Sequence, residues 1–242
     1  MIGKRADRRE GEPWTVDQLL SDMKAFGITD AIVTHALSRD YDAITGNREI
    51  AELVGVKKNL HGCWAILPPS CQETPAPNEF VKEMIARRIV AAIAFPNAHN
   101  YSLSEWSIGP ILAALESRRI PLLLPFGQFT WEEIDALCRR HPLLPLITTG
   151  INYRQLRFLL PLWERYRNLF VDIAWFSIHN GLSYLTERGM LRQLVFGTNY
   201  PIYDPGAAIS MVTFANIDDH GRQMVASGTL RDILRGIRKD RA

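Results

Sequence analysis

The chain has 242 residues, of which 47% are apolar and 22% charged, with a formal net charge of +2. These values match an ordinary globular protein with a sizeable core and exclude disorder-dominated and collagen-like classes; the small net charge also argues against a nucleic-acid partner. The length is that of one large domain, so no boundary is drawn within 1–242.

In chain order, Trp14 to Phe26 reads as a helix with Thr15 as N-cap, one apolar face (Val16, Leu19, Leu20, Met23, Phe26) and Gly27 at its end. Asp30 to Thr34 is a short β-branched run that ends in His35 and fits a buried parallel strand. The helix-then-strand alternation continues with helix Gly46 to Val56, strand Leu60 to Leu67, helix Asn78 to Arg87 and strand Ile89 to Phe95. Helix Ile108 to Ser117, strand Pro121 to Leu124, helix Trp131 to Arg140 and strand Leu144 to Thr149 follow. Helix Tyr153 to Tyr166, strand Leu169 to Trp175 and a helix near Gly181 to Arg188 lead to a last strand at Leu194. From Gly221 onward, Met224, Val225, Leu230, Ile233, Leu234 and Ile237 keep a helical spacing broken at Gly228, which predicts a segment closing an outer helical ring.

Apolar strands alternating with amphipathic helices predict an α/β fold with a parallel sheet covered by helices, either a barrel or a doubly wound sheet. Seven strands are counted. A strand should precede the first helix, and only Met1-Ile2-Gly3 is available for it, so that strand is expected to be truncated or missing.

Cys63, Cys71 and Cys138 show no C-x-x-C spacing, which points away from a zinc knuckle or a disulfide framework and toward a reducing, cytoplasmic setting. No apolar run reaches bilayer length, and the opening MIGKRADRREGEP lacks an apolar signal region, so no membrane partner is expected. The basic residues Lys4, Arg5, Arg8 and Arg9, and the run from Arg231 to Arg241, read as solvated faces.

The stretch LVFGTNYPIYDP at Leu194 to Pro205 is a strand delivering polar groups to its end. It resembles the FGTDYP closing strand of the amidohydrolase-related metal-dependent hydrolases, the TIM-barrel branch that includes aminocarboxymuconate semialdehyde decarboxylase. WTVDQLLSDMKAFGITDAIVTH, RRIVAAIAFP, ALESRRIPLLLP, ALCRRHPLLPLITTG and NLFVDIAWF follow the family's order and spacing. The resemblance implies a TIM (β/α)8-like barrel with a divalent ion held by an H-x-H pair, two further histidines and an Asp. Here the H-x-H position falls on Met1-Ile2-Gly3, Pro125 and the Thr148-Thr149-Gly150 stretch stand at the histidine positions, and Asn199 replaces the Asp. The expectation is therefore that no metal and no other cofactor is bound at the usual place.

Barrel sites lie at the C-terminal strand ends. Catalytic candidates there are His35, His99, His179 and Asn199, the three histidines for acid/base work, although loop histidines are most often merely exposed. Trp64, Gln128, Thr148, Asn152, Tyr153, Asp172 and Tyr200 are candidates for lining a ligand pocket, with Trp175 beside them. Asp172 shares strand parity with Phe170 and Ala174, so a buried carboxyl bonded within the scaffold is the simpler reading of it. Arg154 at a helix start could clamp a carboxylate, with a surface ion pair as the ordinary alternative. Cys71, Ser38 and Ser70 carry no nucleophile signature.

The leading expectation is a divergent barrel that binds a small organic molecule with altered or no catalysis. The alternatives are a hydrolase or decarboxylase working through a rearranged strand-end site, and a structural subunit forming a homo-oligomer.

Overall fold

The computed structural model describes residues 1–239, so Arg241, the last member of the predicted basic run, lies outside the described residues. The elements are α1 (Val16–Ala25), β1 (Ala31–Val33), α2 (Leu37–Asp40), α3 (Ala43–Val56), β2 (Leu60–Ala65), α4 (Pro77–Ala86), β3 (Ile89–Ile93), α5 (Glu105–Arg118) and β4 (Leu122–Pro125). They continue with α6 (Trp131–Arg140), β5 (Leu146–Thr149), α7 (Leu156–Arg165), β6 (Leu169–Asp172), α8 (Gly181–Glu187), β7 (Leu194–Val195), α9 (Pro205–Thr213), α10 (Asp219–Gln223) and α11 (Thr229–Arg235).

All seven strands are parallel and pair in chain order, β1 to β7, as a right-handed series of crossovers demands when each helix packs back onto the sheet. The sheet curls into a TIM-type barrel. Ile2 forms a parallel bridge with His35, and the Met1 nitrogen donates to the Tyr200 carbonyl at 2.6 Å, so the first residues lie between β1 and the segment after β7. One bridge thus stands where the strand predicted before α1 would run.

Side-chain alternation sorts the strands into two faces. Leu122, Leu124, Leu146, Val171 and Leu194 pack outward with helical residues such as Ile134, Leu137, Leu159 and Trp163. Cys63, Ala65, Ala91 and Ile93 face inward with Phe95, Ile32 and Leu123, and Ile147 and Val195 meet Phe170 on the opposite wall. The interior is a packed core, as barrels of this size require.

Capping chemistry sets several helix starts. Thr15 and Thr130 each form a reciprocal capping box, with Gln18 and with Glu133. The break predicted at Gly228 is a π-helical turn, Met224–Gly228, ahead of α11. Contrary to the sequence expectation, α11 does not join the outer ring. Leu230 and Ile233 pack on the inward residues Leu123, Ile147, Phe170 and Val195, and Arg238 donates to the Arg118 carbonyl at the far end of α5, so this segment covers the barrel floor. No described helix is long and apolar enough to cross a membrane.

Candidate functional site

At the C-terminal mouth, Pro125 is paired with Thr149 and Asp172 with Val195. Parity with Leu123, Ile147 and Phe170 turns Pro125, Thr149 and Asp172 toward the interior. Asp172 accepts from the Ala174 amide at 3.0 Å. A Cβ on Gly197 would overlap the other carboxyl oxygen, Oδ2, so the glycine after β7 is what leaves room for the acid. Burial pushes the Asp172 carboxyl up to about 6, against a smaller opposing effect of the Ala174 and Gly150 amides. Among the described strand ends, Asp172 is thus the inward acid, and its charge changes near neutrality.

The four catalytic candidates have distinct surroundings. His35 is half-buried, its Nδ1 accepts from the Leu37 amide at 3.2 Å, and its ring lies against Gly3, where no Cβ would fit. Burial holds it below the usual histidine range, so it is neutral at physiological pH. His99 packs edge-on against Phe95 and donates from Nε2 to the Arg39 carbonyl at 3.3 Å, leaving Nδ1 buried without a partner. The turn from His35 to Arg39 thus links these two rings. His179 is exposed and meets Asn180. Asn199 sits at φ +48°, a left-handed conformation that Asn and Asp tolerate best among residues with a Cβ, and its carbonyl accepts from the Ile202 amide.

The lining candidates mostly hold the scaffold. Trp64 points outward, 5% exposed, with its ring 5.3 Å from Phe80 of α4. Thr148 also faces outward, fully buried, and bonds the Phe170 carbonyl at 3.2 Å; its neighbour Thr149 takes the inward position. Gln128 accepts from the Asn97 and Ala98 amides and so ties the loop after β4 to that after β3. Asn152 caps the short turn Tyr153–Gln155 through the Arg154 amide. Tyr153 is exposed, with the Arg154 guanidinium 5.9 Å from its ring centre, so Arg154 has an aromatic partner rather than a carboxylate. The Tyr200 hydroxyl donates to Asp22 on α1 at 2.9 Å.

Two features were not anticipated. Arg5 is no solvated residue: it is 7% exposed, 3.0 Å from Asp7 and 3.3 Å from Glu12, and one of its terminal nitrogens, Nη1, has no partner. Asp7 is shared with Arg39, which also pairs with Asp40. Burial is tolerated because two carboxylates from the same loop neutralise the guanidinium. The second feature is a groove of about 580 Å³ between the loop after β6 and α9, walled by Trp175, Ile178, Tyr203 and Met211, with Asp204, Ser177 and Ser210 at its edges. The signal for α9 was present in the sequence, because Asp204-Pro205 is an N-cap followed by a first-turn proline.

A divalent ion of the kind the resemblance implies needs converging imidazoles and carboxylates. The inward strand ends supply a proline, a threonine hydroxyl and a single carboxyl, and among the described residues no three His, Cys, Asp or Glu side chains are grouped so as to share an ion. The donor set does not fit the metal.

None of the curated proteins matches the chain. Among solved structures it is similar to an uncharacterised TIM-barrel protein from Bordetella bronchiseptica, at 15% identity, 92% of this chain, 83% of that one and a TM-score of 0.72. It is also similar to 5-carboxyvanillate decarboxylase from Sphingomonas paucimobilis (17%, 94% and 85% coverage, TM-score 0.69) and to 2,6-dihydroxybenzoate decarboxylase from Rhizobium (15%, 92% and 89%, TM-score 0.63). At such identities these likenesses establish the barrel alone. The sequence profile of the amidohydrolase family, however, matches residues 7–236, and on that match the chain belongs to the amidohydrolase family.

Proposed function

We propose that this barrel binds a small organic molecule at its strand-end face, that the family's metal-centred chemistry has been lost, and that catalysis is altered or absent. The observation carrying this reading is the pairing of a mouth whose inward groups cannot hold a divalent ion with an aromatic-walled groove of about 580 Å³ immediately beside it. The groove has the size and the mixed apolar and polar lining of a metabolite site. Elemental analysis of purified protein, combined with mass spectrometry of molecules released on denaturation, tests both halves. The expected result is less than a tenth of an equivalent of any transition metal together with a retained organic species. A stoichiometric divalent ion that disappears in Asp172→Ala overturns the proposal.

A second reading is favoured by Asp172 itself. An inward carboxyl poised near 6 can deliver a proton at neutral pH, which is what a decarboxylation needs at the carbon that loses carbon dioxide. The fold is shared with 5-carboxyvanillate decarboxylase and 2,6-dihydroxybenzoate decarboxylase, which gives such chemistry a precedent on this scaffold. Release of carbon dioxide from hydroxybenzoic acids by the chelator-treated protein, abolished in Asp172→Asn, would support this second reading over the first.

A further inference from the structure

The groove between the loop after β6 and α9 has a composition more specific than a generic apolar cleft. Trp175 and Tyr203 pack on one another, ring centres 5.1 Å apart and planes inclined by 39°, and Trp175 is still 44% exposed. Three arginines of the chain sit over tyrosine rings, at Tyr153, Tyr166 and Tyr184, but no described cation covers Trp175 or Tyr203. The only charged side chain among the lining residues is Asp204. Its Oδ1 caps α9 by accepting from the Gly206 amide at 2.6 Å, and among the described residues no Lys, Arg or His pairs with the carboxylate. The Met211 thioether and the Ser177 and Ser210 hydroxyls complete the wall without adding charge.

An exposed aromatic face that no cation covers attracts one through its ring quadrupole, tryptophan most strongly, and a carboxylate beside it with no basic partner fixes the sign of the preferred guest. An anionic ligand would meet Asp204 with no opposing base, and a plain ammonium would keep most of its hydration. An alkylated ammonium suits the site best, because its charge is spread over apolar carbon that can lie against the rings. We propose that this groove binds a small organic cation of the alkylated-ammonium class; this rests on the small-molecule reading above and names its ligand.

The test uses the full chain with choline and its uncharged isostere, in which a quaternary carbon replaces the nitrogen. Binding is followed by titration calorimetry and by the Trp175 indole N–H resonance, assigned from Trp175→Phe. Choline should bind about tenfold or more tightly than the isostere. Asp204→Asn retains a helix-capping side chain and removes the charge, so it should erase that preference while leaving the fold and isostere binding unchanged. Trp175→Leu should weaken choline at least as much. Equal binding of choline and isostere overturns the cation assignment while leaving the small-molecule site standing. If neither probe moves the Trp175 resonance although denatured protein releases a retained molecule, the groove is not the site and the inference fails, with the broader reading intact.

Discussion

Replacing Asp172 by Asn removes the inward acid at the end of β6 and should change how stability depends on pH. The wild-type carboxyl is moved from an ordinary 3.8 to about 6 by burial, so the fold favours its neutral form. The sign follows from linkage: this favourable contribution is fully present below about pH 4 and is lost as pH rises through about 6. At 1.36 kcal/mol per pH unit, ionised Asp172 lowers stability by roughly 3 kcal/mol at pH 7 relative to its protonated form. Asn keeps an acceptor for the Ala174 amide and carries no charge, so the variant should gain on wild type by about that amount between pH 4 and pH 7.5. In a chain of this size the gain corresponds to roughly 6–12 °C in melting temperature. Urea denaturation of both proteins at a series of pH values measures it, and the other titrating groups cancel in the difference. Two stability curves that run parallel across the range would refute the assignment of a raised carboxyl at Asp172.

Gly197→Ala should cost about 2 kcal/mol or more at neutral pH, because the added methyl meets Asp172, and combining it with Asp172→Ala should recover most of the loss in the same denaturation assay. His141, 7% exposed at its side chain, lies between Glu105 at 2.8 Å and Glu116 at 2.9 Å; His141→Ala leaves two carboxylates facing one another and should cost about 3 kcal/mol, read by calorimetric melting. Arg5→Ala strands Glu12, whose side chain is 6% exposed, and should destabilise by about 3 kcal/mol, with Glu12→Gln added on top restoring much of it.

Much of the fold was legible because it rests on local signals. Strands such as Ile89–Ile93 are short apolar runs, and the helices at Thr15 and Thr130 announce themselves by cap and third-residue partner. Among the described residues the count of seven strands holds, with the bridge at Ile2 as the only trace of another. Two helices escaped notice for different reasons. The four-residue turn at Leu37–Asp40 is too short to show a period, and Asp204-Pro205 was taken as the end of a strand rather than the start of a helix. Thr148 and Thr149 differ by one position, which in a strand exchanges the two faces, and sequence alone does not fix which residue looks inward. Arg5 reads as solvated within a charged run, whereas its burial is a tertiary effect that the run does not show; its partner Asp7 is also held by Arg39, brought close by the barrel.

The left-handed backbone at Asn199 bears on what it would take to place an acid at the end of the closing strand. Asn and Asp occupy that conformation with similar ease, so Asn199→Asp would return an acid to the closing strand with little rebuilding of the chain. Pro125 and Thr149 pair across β4 and β5, and both would have to become imidazoles before an ion found a second and third grip. Building an ion site into this mouth is thus a matter of side chains on one wall of the frame, an exercise in substitution rather than in refolding.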